Sequence, residues 1–405
     1  MSNIVLLNIS GEDRIGLSAD FYATIEKIDV RILDIGQSVI HDQVSQGMML
    51  QLPTDQDPVL LKKQLIAQAD ALGLSAKIRD VGQDAYANWV TQQGSDRYTL
   101  TLLTREVSAE EIAKVTQVTA EQGLNIHDIV RLSGRVPLNR PVTNEVKSCI
   151  EFSMHGVPKN DTEMRASFLK IASKLDVDIA VQRDDAYRRN RRLVCFDMDS
   201  TLIKAEVIDE LAKHAGVGKQ VAAITERAMQ GEIDFKESFS QRMALLKGLS
   251  EDVLKKTAEN LPMMEGADCL IRNLKAYGYK TAIISGGFSY FGRFLQNRLG
   301  IDHVYANTLE IEQGKLTGRA IQPVVDAQRK ALLLKKIAKD EGLDPRQTIA
   351  IGDGANDLLM LSEAGLGIAF RAKPLVRESA KQSVSTHGLD SILYLLGFKD
   401  QDIIR

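Results

Sequence analysis

The chain is poor in cysteine, tryptophan, aromatic residues and net charge, and each shortage excludes something. Three cysteines, Cys149, Cys195 and Cys269, stand far apart in 405 residues. Their odd number builds no disulfide framework, and their spacing matches no zinc site, so a reducing cytoplasm is the expected compartment. Lys and Arg number 51 against 54 Asp and Glu, leaving a formal charge of −3. Such a balance supplies no positive field for nucleic acid or an anionic membrane surface. Aromatic residues make up 5% and one tryptophan occurs. No stretch approaches the eighteen or so apolar residues of a membrane span. The start, Met1-Ser2-Asn3 and a short apolar run from Ile4 to Leu7, lacks the basic region and long apolar region of a signal peptide. Any phosphate handled by this chain must therefore be met by local chemistry.

What is present suits a soluble multidomain protein. Hydrophobic residues are 44% and charged residues 26%, enough to bury a core in each of the two or three domains expected at roughly 150 residues per domain. Periodicity predicts strand Ile4 to Ile9, helix Leu17 to Ile28, strands Val30 to Ile40 and Gly47 to Leu52, helix Pro58 to Leu72 and strand Leu74 to Val81. After a polar stretch, Gln83 to Asp96, the same β-α-β-β-α-β order returns between Tyr98 and Gln182, interrupted by a loop holding Pro137 and Pro141. The N-terminal half is thus a tandem of two similar small α+β domains, expected at 1–84 and 96–185.

The run Arg188-Arg189-Asn190-Arg191-Arg192 reads as a solvated linker. Beyond it, over 190–405, short apolar strands at Leu193 to Phe196, Thr281 to Ile284, Thr348 to Ile351 and Leu366 to Ala369 alternate with helices. That is the pattern of a parallel α/β sheet. Between the first two strands, about 207–260 has helical periodicity and is too long for a crossover, so a helical cap is expected there.

Acidic and hydroxyl residues follow three of these strands. Asp197-Met198-Asp199-Ser200-Thr201 follows the first, Ser285-Gly286-Gly287 the second and Gly352-Asp353-Gly354-Ala355-Asn356-Asp357 the third. Carboxyl ends of parallel strands are where ligands bind. Taken singly, each motif also reads as a turn or helix cap, and Lys330 as a solvated helix residue. Together, Asp197, Asp199, Asp353 and Asp357 would repel by about 4 kcal/mol per pair at 4 Å. A hard cation such as Mg²⁺ would relieve that repulsion.

The four separated motifs, counting Lys330, resemble those of the haloacid dehalogenase-like phosphatases, and the match to their phosphoserine-hydrolysing members is close. The resemblance implies a Rossmann-like parallel sheet with a helical cap and Mg²⁺-dependent hydrolysis of O-phospho-L-serine through a phosphoaspartyl intermediate. It implies Asp197 as nucleophile and Asp199 as general acid and base. It places the metal on Asp197, the main-chain carbonyl of Asp199 and Asp353, and the phosphate against Ser285, Gly286, Lys330 and Asn356. Asp357 would position Lys330 or metal waters. Glu206 and Arg242 would hold the substrate ammonium and carboxylate, and Met229 and Phe235 would form an apolar wall. Without the other motifs, Glu206 and Arg242 would read as a solvated helix face; with them, the substrate reading is favoured.

The tandem repeats resemble ACT domains, ferredoxin-like modules that bind amino acids and pair through their sheets. Gly11-Glu12-Asp13-Arg14-Ile15-Gly16 matches the family's effector loop, whereas Thr104-Arg105-Glu106-Val107 in the second repeat departs from it. The resemblance implies a homodimer with a serine effector met by Gly11, Asp13 and Gly16; the bland alternative is a turn in which Asp13 caps the helix. Competing readings are a phosphatase for another small monoester, a phosphotransferase, or an amino-acid sensor with a degenerate catalytic half. A dehalogenase would leave Asp199 without a role.

Overall fold

The computed structural model describes residues 3–91, 96–135, 137–139, 147–230 and 232–405. The side chain of Met229 and all of Pro141 lie outside the described residues. The chain forms two compact units, Met1–Ser95 and Asp96–Arg405.

The first unit runs β1 (Ile4–Glu12), α1 (Leu17–Glu26), β2 (Arg31–Ile40), β3 (Gln43–Gln51), α2 (Pro58–Ala71), β4 (Ser75–Val81) and α3 (Gln83–Thr91). Its antiparallel sheet has the order β2-β3-β1-β4. Alternate residues Val5, Leu7 and Ile9 of β1 point to one face and bury against Phe21 and Ile25 of α1 and Leu61 and Leu65 of α2. The stretch read as polar contains α3, whose residues are all at least partly exposed, so no buried stripe announced it. Asp13 does not cap α1. The cap position is Gly16, at φ +87° and with no side-chain hydrogen bond, and Asp13 faces solvent.

The second unit opens with β5 (Arg97–Thr104), α4 (Ala109–Glu121), β6 (Asn125–Arg131), β7 (Ser148–His155), α5 (Asp161–Leu175) and β8 (Asp178–Arg183), in sheet order β6-β7-β5-β8. The turn after β5 closes on itself. Ser108 and Glu111 form a capping box, and Thr104 donates to Glu111 at 2.9 Å.

The short helix α6 (Ala186–Arg189) then leads into the larger sheet. The arginine run corrects the expectation of a solvated linker. Arg188 is buried and paired with Glu151 at 2.6 Å, Arg191 is buried and donates to Gln182 at 2.7 Å, and Arg192 lies over the Tyr279 ring. The Arg188 acceptor lies 37 residues away on β7, so the run looked unpartnered.

The rest comprises β9 (Leu193–Phe196), α7 (Val207–His214), α8 (Gly218–Met229), α9 (Phe235–Leu245), α10 (Asp252–Glu259), α11 (Ala267–Ala276), β10 (Lys280–Phe288) and α12 (Ser289–Leu299). It continues through β11 (His303–Glu312), β12 (Lys315–Ile321), α13 (Ala327–Asp340), β13 (Thr348–Gly352), α14 (Leu358–Glu363), β14 (Leu366–Phe370), α15 (Pro374–Ser379), β15 (Gln382–Val384) and α16 (Ile392–Leu395). Seven strands order as β12-β11-β10-β9-β13-β14-β15, all parallel except β12. Periodicity missed β11, β12 and β15. Much of β11 is only half buried, and β15 has three residues. Strand β9 is central, with Val194 and Phe196 buried on one face and Leu193 and Cys195 on the other. Successive crossovers go first towards β10 and β11, then reverse towards β13 and β14, so the end of β9 is a topological switch point. Among the described residues, no helix is long and apolar enough to cross a membrane.

The β8 domain is fastened to this sheet. Asp178 accepts from the Ser385 and Thr386 N–H groups at 2.7 and 3.1 Å and from Thr386 Oγ1 at 2.6 Å, with His387 Nδ1 3.2 Å away. Gln382 pairs its side-chain amide with both backbone groups of Val181.

Candidate active site

Asp197 emerges where β9 ends, its N–H still bonded to Ile351 O as though the ladder continued. Oδ1 accepts from the Met198 N–H at 2.7 Å, and Oδ2 lies 3.0 Å from Lys330 Nζ. Lys330 sits on α13 with no exposed surface, which corrects the solvated-helix reading. It also donates to Asp357 Oδ1 at 2.6 Å. Burial opposes the ammonium charge, but Asp197 and Asp357 outweigh it and hold the pKa above that of an ordinary lysine.

Asp199 has two faces. Oδ1 accepts from the N–H of Val207, the first residue of α7, at 3.1 Å, so the capping expectation holds for one oxygen. Oδ2 faces Gly287, where a Cβ would stand 2.4 Å away, and only glycine leaves room. Burial, with Glu206 and Asp197 nearby, pushes the Asp199 carboxyl well above the ordinary carboxylate range. Both effects favour its neutral, proton-bearing form over the carboxylate.

Ser285 is buried at the end of β10, and its Oγ accepts from Gly287 N–H at 3.0 Å. The ladder to β11 is irregular between Ile284 and Phe288, which frees this turn from the sheet. From β13, Asp353 reaches Thr201 Oγ1 at 3.3 Å, and Asp357 Oδ2 accepts from Gly354 N–H at 3.0 Å. Asn356 is half buried, its amide oxygen turned back towards Gly354.

Carboxylate oxygens of Asp197, Asp353 and Asp357 lie within 4.8 Å of one another. Burial and like-charge repulsion push Asp353 up to about 8 and Asp357 to about 6. Three hard oxygen donors around one lysine charge fit a divalent oxygen-seeking cation. The Asp199 carboxylate is not among them. Asp357 joins them although the expected ligand set omitted it, yet both its oxygens are engaged, by Lys330 and Gly354.

The cap supplies the other wall. Glu206 immediately precedes α7, and its Oε1 accepts from Ser200 Oγ at 2.8 Å. Ser200 holds an unusual φ of +55°, so the backbone is bent to bring that hydroxyl round. Burial and the nearby Asp197 and Asp209 raise the Glu206 carboxyl. Arg242 on α9 is half buried, donates weakly to Ser238 O at 3.4 Å, and among the described residues has no carboxylate within ion-pairing distance. Its pKa is lowered by burial, against the pull of Asp209, Glu206 and Asp199. Phe235 stacks on Phe239 with ring centroids 6.1 Å apart and lies 3.5 Å from where a Gly286 Cβ would be. Met229 ends α8; its side chain is outside the described residues. Sequence reasoning missed Ser200 as the partner of Glu206, and it missed Asn307 altogether.

Family models match three parts of the chain: haloacid dehalogenase-like hydrolase over 191–365, and ACT domain over 3–79 and again over 97–182. The phosphoserine phosphatase of Streptomyces coelicolor is 40% identical over 401 residues, covering 98% of this chain and 93% of that protein. The chain belongs to the phosphoserine phosphatase family. Its relative in Mycobacterium tuberculosis, also a phosphoserine phosphatase, is 37% identical over 97% of this chain and 93% of its own length. A crystal structure of a probable phosphoserine phosphatase from Vibrio cholerae, in unliganded form, superposes with a TM-score of 0.58 at 36% identity. It covers 74% of this chain and 86% of that one. In this haloacid dehalogenase-like phosphatase with two ACT domains, three of the four motifs named from sequence lie at the ends of β9, β10 and β13, and Lys330 lies on α13.

Proposed function

We propose that the chain hydrolyses O-phospho-L-serine to L-serine and inorganic phosphate, the closing step of serine synthesis. What carries this reading is Asp197 held 3.0 Å from Lys330 while Asp199, its pKa raised by burial, turns one oxygen to Gly287 of the Ser285-Gly286-Gly287 turn. Asp197 attacks phosphorus as the P–O bond to the seryl oxygen breaks, and Asp199 gives its proton to that leaving oxygen. Asp199, now ionised, takes a proton from water; the hydroxide attacks the aspartyl phosphate, releasing phosphate and restoring Asp197. Ser285, the Gly286 N–H, Lys330 and Asn356 face the phosphoryl oxygens. A Mg²⁺ ion on Asp197, Asp353 and the Asp199 carbonyl would supply positive charge against those oxygens.

Glu206 and Arg242 suit a zwitterion: one acid for the ammonium and one fork of donors for the carboxylate. Phe235, stacked on Phe239, would shield the reaction from water on the cap side. The first ACT domain would take serine at Gly11, Asp13 and Gly16, and the exposed Ile32, Ile35, Val39 and Ile40 of β2 favour pairing into a homodimer. Three cysteines without disulfides fit a cytoplasmic site.

Phosphate release from O-phospho-L-serine, measured with and without Mg²⁺ for the wild type and Asp197→Asn, tests the chemistry. Metal-dependent turnover lost in the variant is expected; full activity in the variant would overturn it. Added serine should alter wild-type rates and leave Asp13→Ala unresponsive, and identical flat responses would remove the effector assignment.

A further inference from the structure

Asn307 lies on β11, outside every motif, yet it is 1% exposed and both ends of its amide are engaged. Nδ2 donates to Gly286 O at 2.7 Å, and Oδ1 accepts from the Val325 N–H at 2.7 Å. The first bond grips the phosphate-side turn at the point where β10 loses register with β11. The second grips the segment entering α13, where Asp326 accepts from the Arg329 N–H and its carbonyl accepts from the Lys330 N–H. We infer that Asn307 is a positioning residue: one side chain sets the Gly286 turn and the Lys330 helix at a fixed separation, so that both meet the same phosphate.

The amide is suited to this as no other side chain of its size is. It offers a donor and an acceptor at once, whereas aspartate offers only acceptors and would set one against Gly286 O. Catalytic groups for phosphoryl transfer act by position, and misplacement by about 1 Å costs roughly a hundredfold in rate. The ammonium and carboxylate side of the substrate, at Glu206 and Arg242, has no bond to Asn307. Loss of the clamp should therefore weaken the grip on phosphate and leave the grip on serine alone.

This rests on the phosphate-side reading of Ser285, Gly286 and Lys330. The test is product inhibition of the full-length enzyme, with inorganic phosphate and L-serine as separate probes at fixed Mg²⁺, under conditions where the phosphoserine substrate is varied. Asn307→Ala is expected to raise the inhibition constant for phosphate tenfold or more and lower kcat tenfold or more. The constant for serine at the catalytic site should stay within twofold. Asn307→Asp, which keeps the acceptor for Val325 and the volume, should show the same selective loss and covers the case in which the alanine variant fails to fold. Equal weakening of both inhibitors, or no change in either, would overturn the inference. Full activity of Asp197→Asn would instead remove the phosphate assignment itself, a separate failure.

Discussion

Lys330 donates to Asp357 at 2.6 Å, and neither side chain has any exposed surface. A buried ion pair adds little over a well-packed apolar pair, but removing one partner strands the other. Lys330→Met would leave Asp357 and Asp197 facing one another without a cation. Destabilisation by about 3–5 kcal/mol is expected, with activity falling roughly 10²–10³-fold. Asp357→Asn should cost less, because Asp197 still faces the ammonium at 3.0 Å. Denaturant unfolding and phosphate release on both variants check the order.

Removal of divalent metal should make stability fall as pH rises. Asp353 at about 8 and Asp357 at about 6 sit above their ordinary 3.8, so the metal-free native state holds more protons than the unfolded chain between about pH 4 and 8. Stability then declines with pH across that window. A bound cation replaces the protons and flattens the slope. Thermal midpoints from pH 5 to 8, in chelator and in excess Mg²⁺, should diverge as pH increases; parallel curves would contradict the assignment.

Specificity for an amino-acid end should reside in the cap. A hydrogen bond to a charged group is worth about 1.5–3 kcal/mol, so Glu206→Gln and Arg242→Lys should each lower kcat/KM for phosphoserine at least about tenfold. The arginine change is not conservative, since lysine cannot form the two-pronged contact. Hydrolysis of a simple alkyl phosphate should be unchanged by either.

Asp178, itself buried, joins the second ACT domain to the larger sheet through the half-buried Ser385 and Thr386 backbone and the Thr386 hydroxyl. Asp178→Ala strands those donors and should lower stability by about 3 kcal/mol or more. Arg183→Ala, removing an exposed pair with Asp96, should change it by less than about 1 kcal/mol. Equal melting of the two variants would show that the junction does not hold the unit together.

Much of the candidate site's placement was legible in the sequence. Strands β9, β13 and β14 are fully buried, as is β10 from Thr281 to Ser285; the Asp197 motif follows β9, Ser285-Gly286-Gly287 lies near the end of β10, and the Gly352 motif starts on the last residue of β13. Local periodicity therefore located both the sheet and its functional edge. The arginine run, Asn307 and Ser200 were not legible, because their meaning lies in partners distant in sequence or in backbone shape. Glu151 stands 37 residues from Arg188, and Gly286 stands 21 from Asn307.

By itself, the sequence determined which chemistry was available: four aspartates, a hydroxyl, a lysine, and an acid and arginine for a zwitterion, ordered along alternating strands and helices. Tertiary structure alone decided which of these act on one another. It put Lys330 between Asp197 and Asp357, turned one oxygen of Asp199 to α7 and the other to Gly287, and made Asn307 a clamp. The physical reason is that pKa shifts and charge pairing depend on distances of a few ångströms and on exclusion of water, and only packing sets those.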